Sequence, residues 1–268
     1  MLGKLMKYEW NYIYKKFLLF AGLMAVASCV GYFSAAQFSK LDPDSNPLLF
    51  MSIMFGLMIY YMILSGVSIG FTIIIGIRFY KTVYGDRGYL THTLPVSARQ
   101  IYWSHIIVDG LCQIVLCVLM QLSIMMVSTR MMAALASDIT LNASDFYMQM
   151  YGADNPVQLL VVIFYSIFGT LVSLIMVFAS IVLGQYWKRH KVWGAVVSYL
   201  IITTCMMVVS WVTLIPQFVY YVFNNASPDG IVAIPSFFWI SIMLISAVFG
   251  VVTFLIMDHG MTKRLNLE

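Results

Sequence analysis

Charge is what this chain has least of. Only 10% of its 268 residues are charged, against roughly 25% in soluble domains, which excludes a soluble protein built around a large core. The common catalytic signatures are missing as well. There is no His-Glu-x-x-His pair, no Gly-x-Ser-Gly sequence, and no acid pair in the middle of an apolar run. The phosphate-loop pattern Gly-x-x-x-x-Gly-Lys-Ser/Thr is also absent, so the chain is not expected to hold ATP by itself. Cysteine is sparse: Cys29, Cys112, Cys117 and Cys205 all fall inside apolar runs, without metal-site spacing, and read as small packing residues. The histidines His92, His105, His190 and His259 lie in four separate segments, so they suggest neither a metal set nor a catalytic set. The chain is not expected to be an enzyme.

What is abundant is apolar sequence, 62% of the residues, with a mean hydropathy of +0.89. Runs of about 20 apolar residues recur, each able to cross a ~30 Å hydrocarbon layer at ~1.5 Å per residue. The expected fold is all-α: a polytopic membrane protein forming one transmembrane domain, 1–268, with six transmembrane helices. The spans are read at about 17–37, 48–77, 105–127, 157–183, 194–214 and 236–257.

The connecting segments carry their own signals. Residues 1–16 mix Trp10, Tyr14 and other aromatics with Lys4, Lys7, Lys15 and Lys16. That composition suits a short interfacial helix, with rings at headgroup depth and lysines on an anionic leaflet; the alternative is a plain positive anchor for span 1. The start of span 1 through Val26-Ala27-Ser28-Cys29 imitates a lipoprotein signal, but the apolar run continues past Cys29, so it reads as a retained span. Ala21, Ala25, Ser28 and Gly31 recur at three- and four-residue steps, a small-residue face suited to close helix packing and a candidate dimer contact. Span 2 is overlong, so it should tilt or protrude on the inner side, and it contains Gly66-x-x-x-Gly70. Residues 128–156 form an outer loop. Residues 215–235, broken by Pro216, Pro228 and Pro235, read as an outer re-entrant segment, tolerable if protein buries it.

Basic residues decide the orientation. Of the 15 Lys and Arg, 13 fall on the side shared by the two termini, leaving Lys40 and Arg130 opposite, together with six of the 11 acids. By the positive-inside rule both termini are cytoplasmic. The net charge of +4 is therefore topology, split among short loops, and nucleic acid is not an expected partner. Asn142-Ala-Ser and Asn225-Ala-Ser match glycosylation acceptors on the outer side, a three-residue pattern that arises readily by chance.

Ion-coupled carriers place ionisable groups near the bilayer midplane, and these spans have almost none. The exceptions are His105 and Asp109, four apart on one helix face near the inner boundary, read as an inner-face polar pair satisfying each other locally. Energy would then enter from a partner through a cytoplasmic loop. The loop between spans 2 and 3, residues 78–104, contains Tyr84-Gly-Asp-Arg-Gly-Tyr-Leu-Thr-His-Thr-Leu-Pro-Val-Ser97. Gly85 and Gly88 permit a tight turn, Tyr89 and Leu90 supply an apolar knob, Pro95 redirects the chain, and Ser97 can cap a following helix.

That segment resembles the GYL-x-x-x-LP-x-S stretch of permease subunits of ABC transporters in the ABC-2-type exporter class, in particular small Gram-positive bacterial permeases. The resemblance extends to an N-terminal interfacial elbow, six spans, and a broken apolar stretch before span 6. It implies a coupling helix between spans 2 and 3, seated on a separate cytoplasmic ATPase through Tyr84, Gly85, Asp86, Arg87, Gly88, Tyr89, Leu90, His92, Leu94 and Pro95. It implies an elbow through Trp10, Tyr14, Lys15 and Lys16. It further implies two ATPase copies holding ATP and Mg, with no cofactor in this chain, and a second permease, identical or homologous. The resemblance places the chain in a bacterial plasma membrane among lipids, exporting a hydrophobic or amphipathic substrate such as an antimicrobial peptide. The alternative is a non-transporting membrane sensor or scaffold that recruits a cytoplasmic partner.

Overall fold

The computed structural model describes residues 2–37, 47–85, 98–135, 156–187, 190–225 and 236–263. They form six helices: α1 Leu2–Ala36, α2 Pro47–Val83, α3 Ala98–Leu135, α4 Pro156–Gly184, α5 Lys191–Asn225 and α6 Ser236–Lys263. All six are long and apolar enough to cross a membrane, and each expected span falls on one of them. The helices α1, α2 and α3 have 35, 37 and 38 residues. At ~1.5 Å per residue each is more than 50 Å long, well beyond a ~30 Å apolar layer.

Two groups of three helices make the bundle. In one, α1 packs on both α2 and α3; in the other, α4 packs on both α5 and α6. Contact of α3 with α4, reinforced by α2 with α4, joins the groups. The stripes that face inward follow the helical repeat. On α2 the buried positions include Tyr60, Leu64, Val67, Phe71, Ile75, Phe79 and Val83. Phe79 stacks on Phe178 of α4 with ring centroids 4.2 Å apart, the central contact between the groups. On α1, Phe17 and Phe20 both meet Phe71 of α2. The outward faces are almost wholly apolar, most of all on α5, as expected of surfaces that contact lipid rather than water.

Close approaches depend on missing side chains. A Cβ on Gly31 would lie 2.7 Å from the Tyr60 ring, and one on Gly184 would lie 2.5 Å from the backbone nitrogen of Ala195. The first lets α1 rest on α2; the second lets the α4–α5 hairpin close.

The helices differ from the sequence expectations at their ends. The expected interfacial helix over 1–16 and span 1 are one unbroken helix, because no Gly or Pro after Gly3 interrupts the pattern before Gly22. Helix α3 starts at Ala98, directly after Ser97, and reaches Leu135, so the ends of both loops expected at 78–104 and 128–156 are helical. The expected re-entrant segment 215–235 divides: Ile215–Asn225 completes α5, and 226–235 lies outside the described residues. Pro216 therefore sits inside a helix. It forfeits one backbone hydrogen bond, yet the turns before it are supported by Ser210 and Thr213, whose hydroxyls donate to the carbonyls of Met206, Val209 and Ser210. Beyond it Gln217 donates to Ser241 of α6.

Candidate functional site

The buried stripe of α3 runs through Ile101, His105, Val108, Cys112 and Leu116. Asp109 lies beside it, so the helical repeat itself carries an imidazole and a carboxylate into the core. Both are wholly buried. A buried carboxylate needs a cation, and α2 supplies one: Arg78, one residue before the core residue Phe79, is only 3% exposed. Its Nη1 donates to Asp109 Oδ1 at 2.5 Å. Its Nη2 faces α1, pairing with the Glu9 carboxylate and donating to the Glu9 carbonyl at 3.0 Å. Glu9 reaches this point because it continues the inward stripe of α1 one turn before Ile13. The guanidinium carbon lies 5.4 Å from the centre of the Tyr12 ring, and the His105 ring meets the edge of Phe79 at 5.5 Å.

Four groups from three helices thus converge where α1 begins, α2 ends and α3 begins. One guanidinium, with its planar fork of donors, is the common partner of two carboxylates. Taking these charges out of water costs several kcal/mol per ion, recovered only when the geometry is good. The junction therefore fixes the relative positions of the three helix ends more than it adds net stability. Neither the quartet nor any other group of His, Cys, Asp and Glu among the described residues could hold a metal ion.

A second clamp lies nearby. Arg99, in the first turn of α3, engages both oxygens of Asp258 near the end of α6, at 3.0 and 3.1 Å, and Tyr102 donates to Oδ1 at 2.8 Å. On the α2 side, the amides of Tyr84 and Gly85 both donate to the Tyr80 carbonyl, closing the helix. Tyr84 packs on the core. Burial, with a smaller contribution from nearby Tyr186, holds its phenol well above the usual tyrosine range. The end of α2 is thus held by Tyr84 and the quartet, and the start of α3 by the quartet and the Arg99–Asp258 clamp.

The sequence-predicted residues divide accordingly. His105 and Asp109 are together, but they do not satisfy each other: His105 Nδ1 is 3.5 Å from Asp109 Oδ2, and neither atom makes a hydrogen bond. The local pair is in fact half of an interhelical quartet. Of the expected coupling residues, Tyr84 and Gly85 are described, and Asp86, Arg87, Gly88, Tyr89, Leu90, His92, Leu94 and Pro95 lie outside the described residues. Trp10 and Lys15 are exposed on α1, and Lys16 sits 4.7 Å from the centre of the Tyr12 ring. The small-residue face does not stand free as a unit. Ser28 bonds Ser123 of α3 at 2.7 Å and Gly31 is buried against Tyr60, while Ala25 is exposed. Further along the bundle a small cleft of about 40 Å³ is lined by Met24, Phe71, Gln113, Leu116, Met120 and others, and the Gln113 amide donates to Thr72.

Sequence reasoning missed Glu9 and Arg78. Arg78 reads in the sequence only as one of the 13 positive charges on the side of the termini. Glu9 had a readable signal: it is the one acid before Asp42, and it lies four residues before the apolar Ile13 in a lysine-rich arm.

No family model, no curated protein and no solved structure matches this chain. The chain is a six-helix multi-pass membrane protein.

Proposed function

We propose that this chain is the membrane-spanning subunit of an ATP-binding-cassette exporter, driven by a separate cytoplasmic ATPase through the segment 84–97. The observation that carries the reading is the anchoring of the helix ends on either side of that segment. The two helices it joins extend beyond an apolar layer and are tied to α1 and α6 by the quartet and the Arg99–Asp258 clamp. A push on the segment would reach α1, α2 and α3 together, because the helix ends on either side of it are tied to their neighbours. The absence of mid-span ionisable groups favours an external energy source over ion coupling. The chain has no phosphate loop, so ATP and Mg would belong to the partner.

On this reading both termini are cytoplasmic in a bacterial plasma membrane. Two ATPase copies serve two permeases, the second a copy or a homologue. ATP binding brings the ATPases together and displaces the α2–α3 unit, opening a path between the permease halves for a hydrophobic or amphipathic substrate. The test is copurification with P-loop ATPases of the same cell, comparing wild type with Leu90→Asp. Loss of the ATPase from the variant alone supports the reading. An intact complex with unchanged ATP-driven transport refutes the assigned contact, and failure of any such ATPase to bind wild type refutes the function.

A further inference from the structure

Helices α1 and α2 keep one antiparallel register along their whole contact. Arg78 meets Glu9, Phe71 meets Phe17 and Phe20, and a Cβ on Gly56 would strike the Ser34 hydroxyl. Helix α3 runs parallel to α1, with His105 beside Glu9 and Ser123 bonded to Ser28. Depth on α1 can therefore be read against its neighbours. Lys15 and Lys16 lie between the Glu9 and Phe17 contacts, where α2 turns Ile73 outward and α3 turns Leu111 outward, both more than half exposed. Toward the start of α1, α2 next exposes Ile77, and only then its one outward charge, Lys81. Lys81 is three residues past Arg78 and Lys15 is six past Glu9 in the opposite direction, so Lys15 sits more than about 10 Å deeper at ~1.5 Å per residue.

Neither lysine has a carboxylate partner among the described residues, whose ion pairs involve only Arg78, Arg99 and His105. Gly85, after which Asp86 follows, lies beyond Lys81 and so farther still from this depth. Both ammoniums turn back toward the start of α1, the way helix side chains lean. Lys16 Nζ is 4.7 Å from the centre of the Tyr12 ring, and Lys15 Nζ is 6.0 Å from that of Tyr14. An arm that reaches back one turn recovers only ~5.4 Å, which leaves the charges below the level of Lys81. Ring faces attract a cation without neutralising it, and a charge left uncompensated among apolar groups is costly.

A lipid can bring a negative charge to this depth from the side. Past the lysines, α1 exposes Leu18, Leu19, Leu23 and Val26, an apolar face for acyl chains. Before them it exposes Trp10 and Tyr12, whose N–H and O–H can donate to phosphate oxygens. We propose that Lys15 and Lys16, with the Tyr12 and Tyr14 rings, form a site for the headgroup of an anionic phospholipid, drawn along α1 below the level of Lys81. An interfacial helix lying flat would spread its lysines over many headgroups, whereas the unbroken α1 offers two at one depth. With the termini cytoplasmic, the leaflet is the inner one, where anionic lipids are enriched. The inference rests on α1, α2 and α3, and not on what engages the segment 84–97.

The test is native mass spectrometry of the full chain, released from neutral detergent micelles supplied with equal amounts of phosphatidylglycerol and phosphatidylcholine. One phosphatidylglycerol should be retained per chain with a preference of about thirtyfold, from two lysine contacts at roughly fivefold each. Lys15→Gln with Lys16→Gln should abolish the preference. Lys4→Gln with Lys7→Gln, which removes the same charge nearer the start of α1, should keep it. All four side chains are exposed or half-buried, so neither pair of changes disturbs the core. No preference in wild type, or equal loss in both variants, overturns the proposal. Displacement of the lipid by inorganic phosphate marks a free-anion site. A second copy of the chain retained in place of lipid, and lost with Lys15→Gln and Lys16→Gln, marks a protein contact. Either of these results overturns it as well.

Discussion

Removing Arg78 should expose the architecture of the junction most clearly. In Arg78→Met the apolar stem is kept and the guanidinium is lost. Asp109, wholly buried, then keeps only His105 at 3.5 Å, and Glu9 loses both its side-chain and its backbone contact with α2. Breaking a buried ion pair from one side typically costs about 3–5 kcal/mol, because the abandoned charge stays in a low-dielectric site. At about 1.4 kcal/mol per decade, that is on the order of a hundredfold to a few thousandfold in the unfolding equilibrium. Reversible unfolding by dodecyl sulfate titrated into mixed micelles, followed by near-ultraviolet circular dichroism, reads the difference. The companion variant Glu9→Gln, Arg78→Met, Asp109→Asn removes all three charges together. It should recover most of the loss, since a buried ionic network replaced as a whole by neutral groups is often near neutral in stability. If Arg78→Met stays within about 1 kcal/mol of wild type, or the triple variant is as unstable as the single one, the charges are not coupled as described.

Two glycine substitutions test the close approaches. Gly31→Ala puts a methyl group 2.7 Å from the Tyr60 ring, which Ser123 holds in place through the phenol oxygen, and should cost about 1–3 kcal/mol in the same assay. Gly66→Ala, with nothing within 4 Å, is the matched control and should not destabilise. Gly184→Ala meets the backbone of Ala195 at 2.5 Å, where no rotamer change can relieve the clash. It should loosen the α4–α5 hairpin, seen as faster proteolysis between Gln185 and His190.

The fold was legible because a membrane span depends on composition over about 20 residues, and six such runs stand clear of their polar connections. Helix ends were less legible. The apolar signal stops at the edge of the hydrocarbon, but the backbone keeps its helical hydrogen bonds beyond it, as α1, α2 and α3 all do. Pro216 misled for a related reason. Its intrinsic cost, about 3 kcal/mol in a soluble helix, does not end α5, which continues to Asn225 and bonds α6 through Gln217 and Ser241. Half of the site could be read, because His105 and Asp109 are conspicuous in an apolar run and share a face. Their partners could not, since Glu9 and Arg78 are 69 residues apart and look like ordinary charges at a membrane boundary. What joins them is the packing of α1 on both α2 and α3, a tertiary fact with no local trace.

On the proposed function, a cytoplasmic ATPase engages the segment between α2 and α3. Photo-crosslinking from Tyr89, replaced by a benzophenone amino acid in the full chain in native membranes, measures this most directly. An adduct with a P-loop ATPase is expected from position 89 and none from Phe218, toward the opposite end of the bundle on α5. An ATPase adduct from Phe218 with none from position 89 would contradict both the orientation and the proposed coupling.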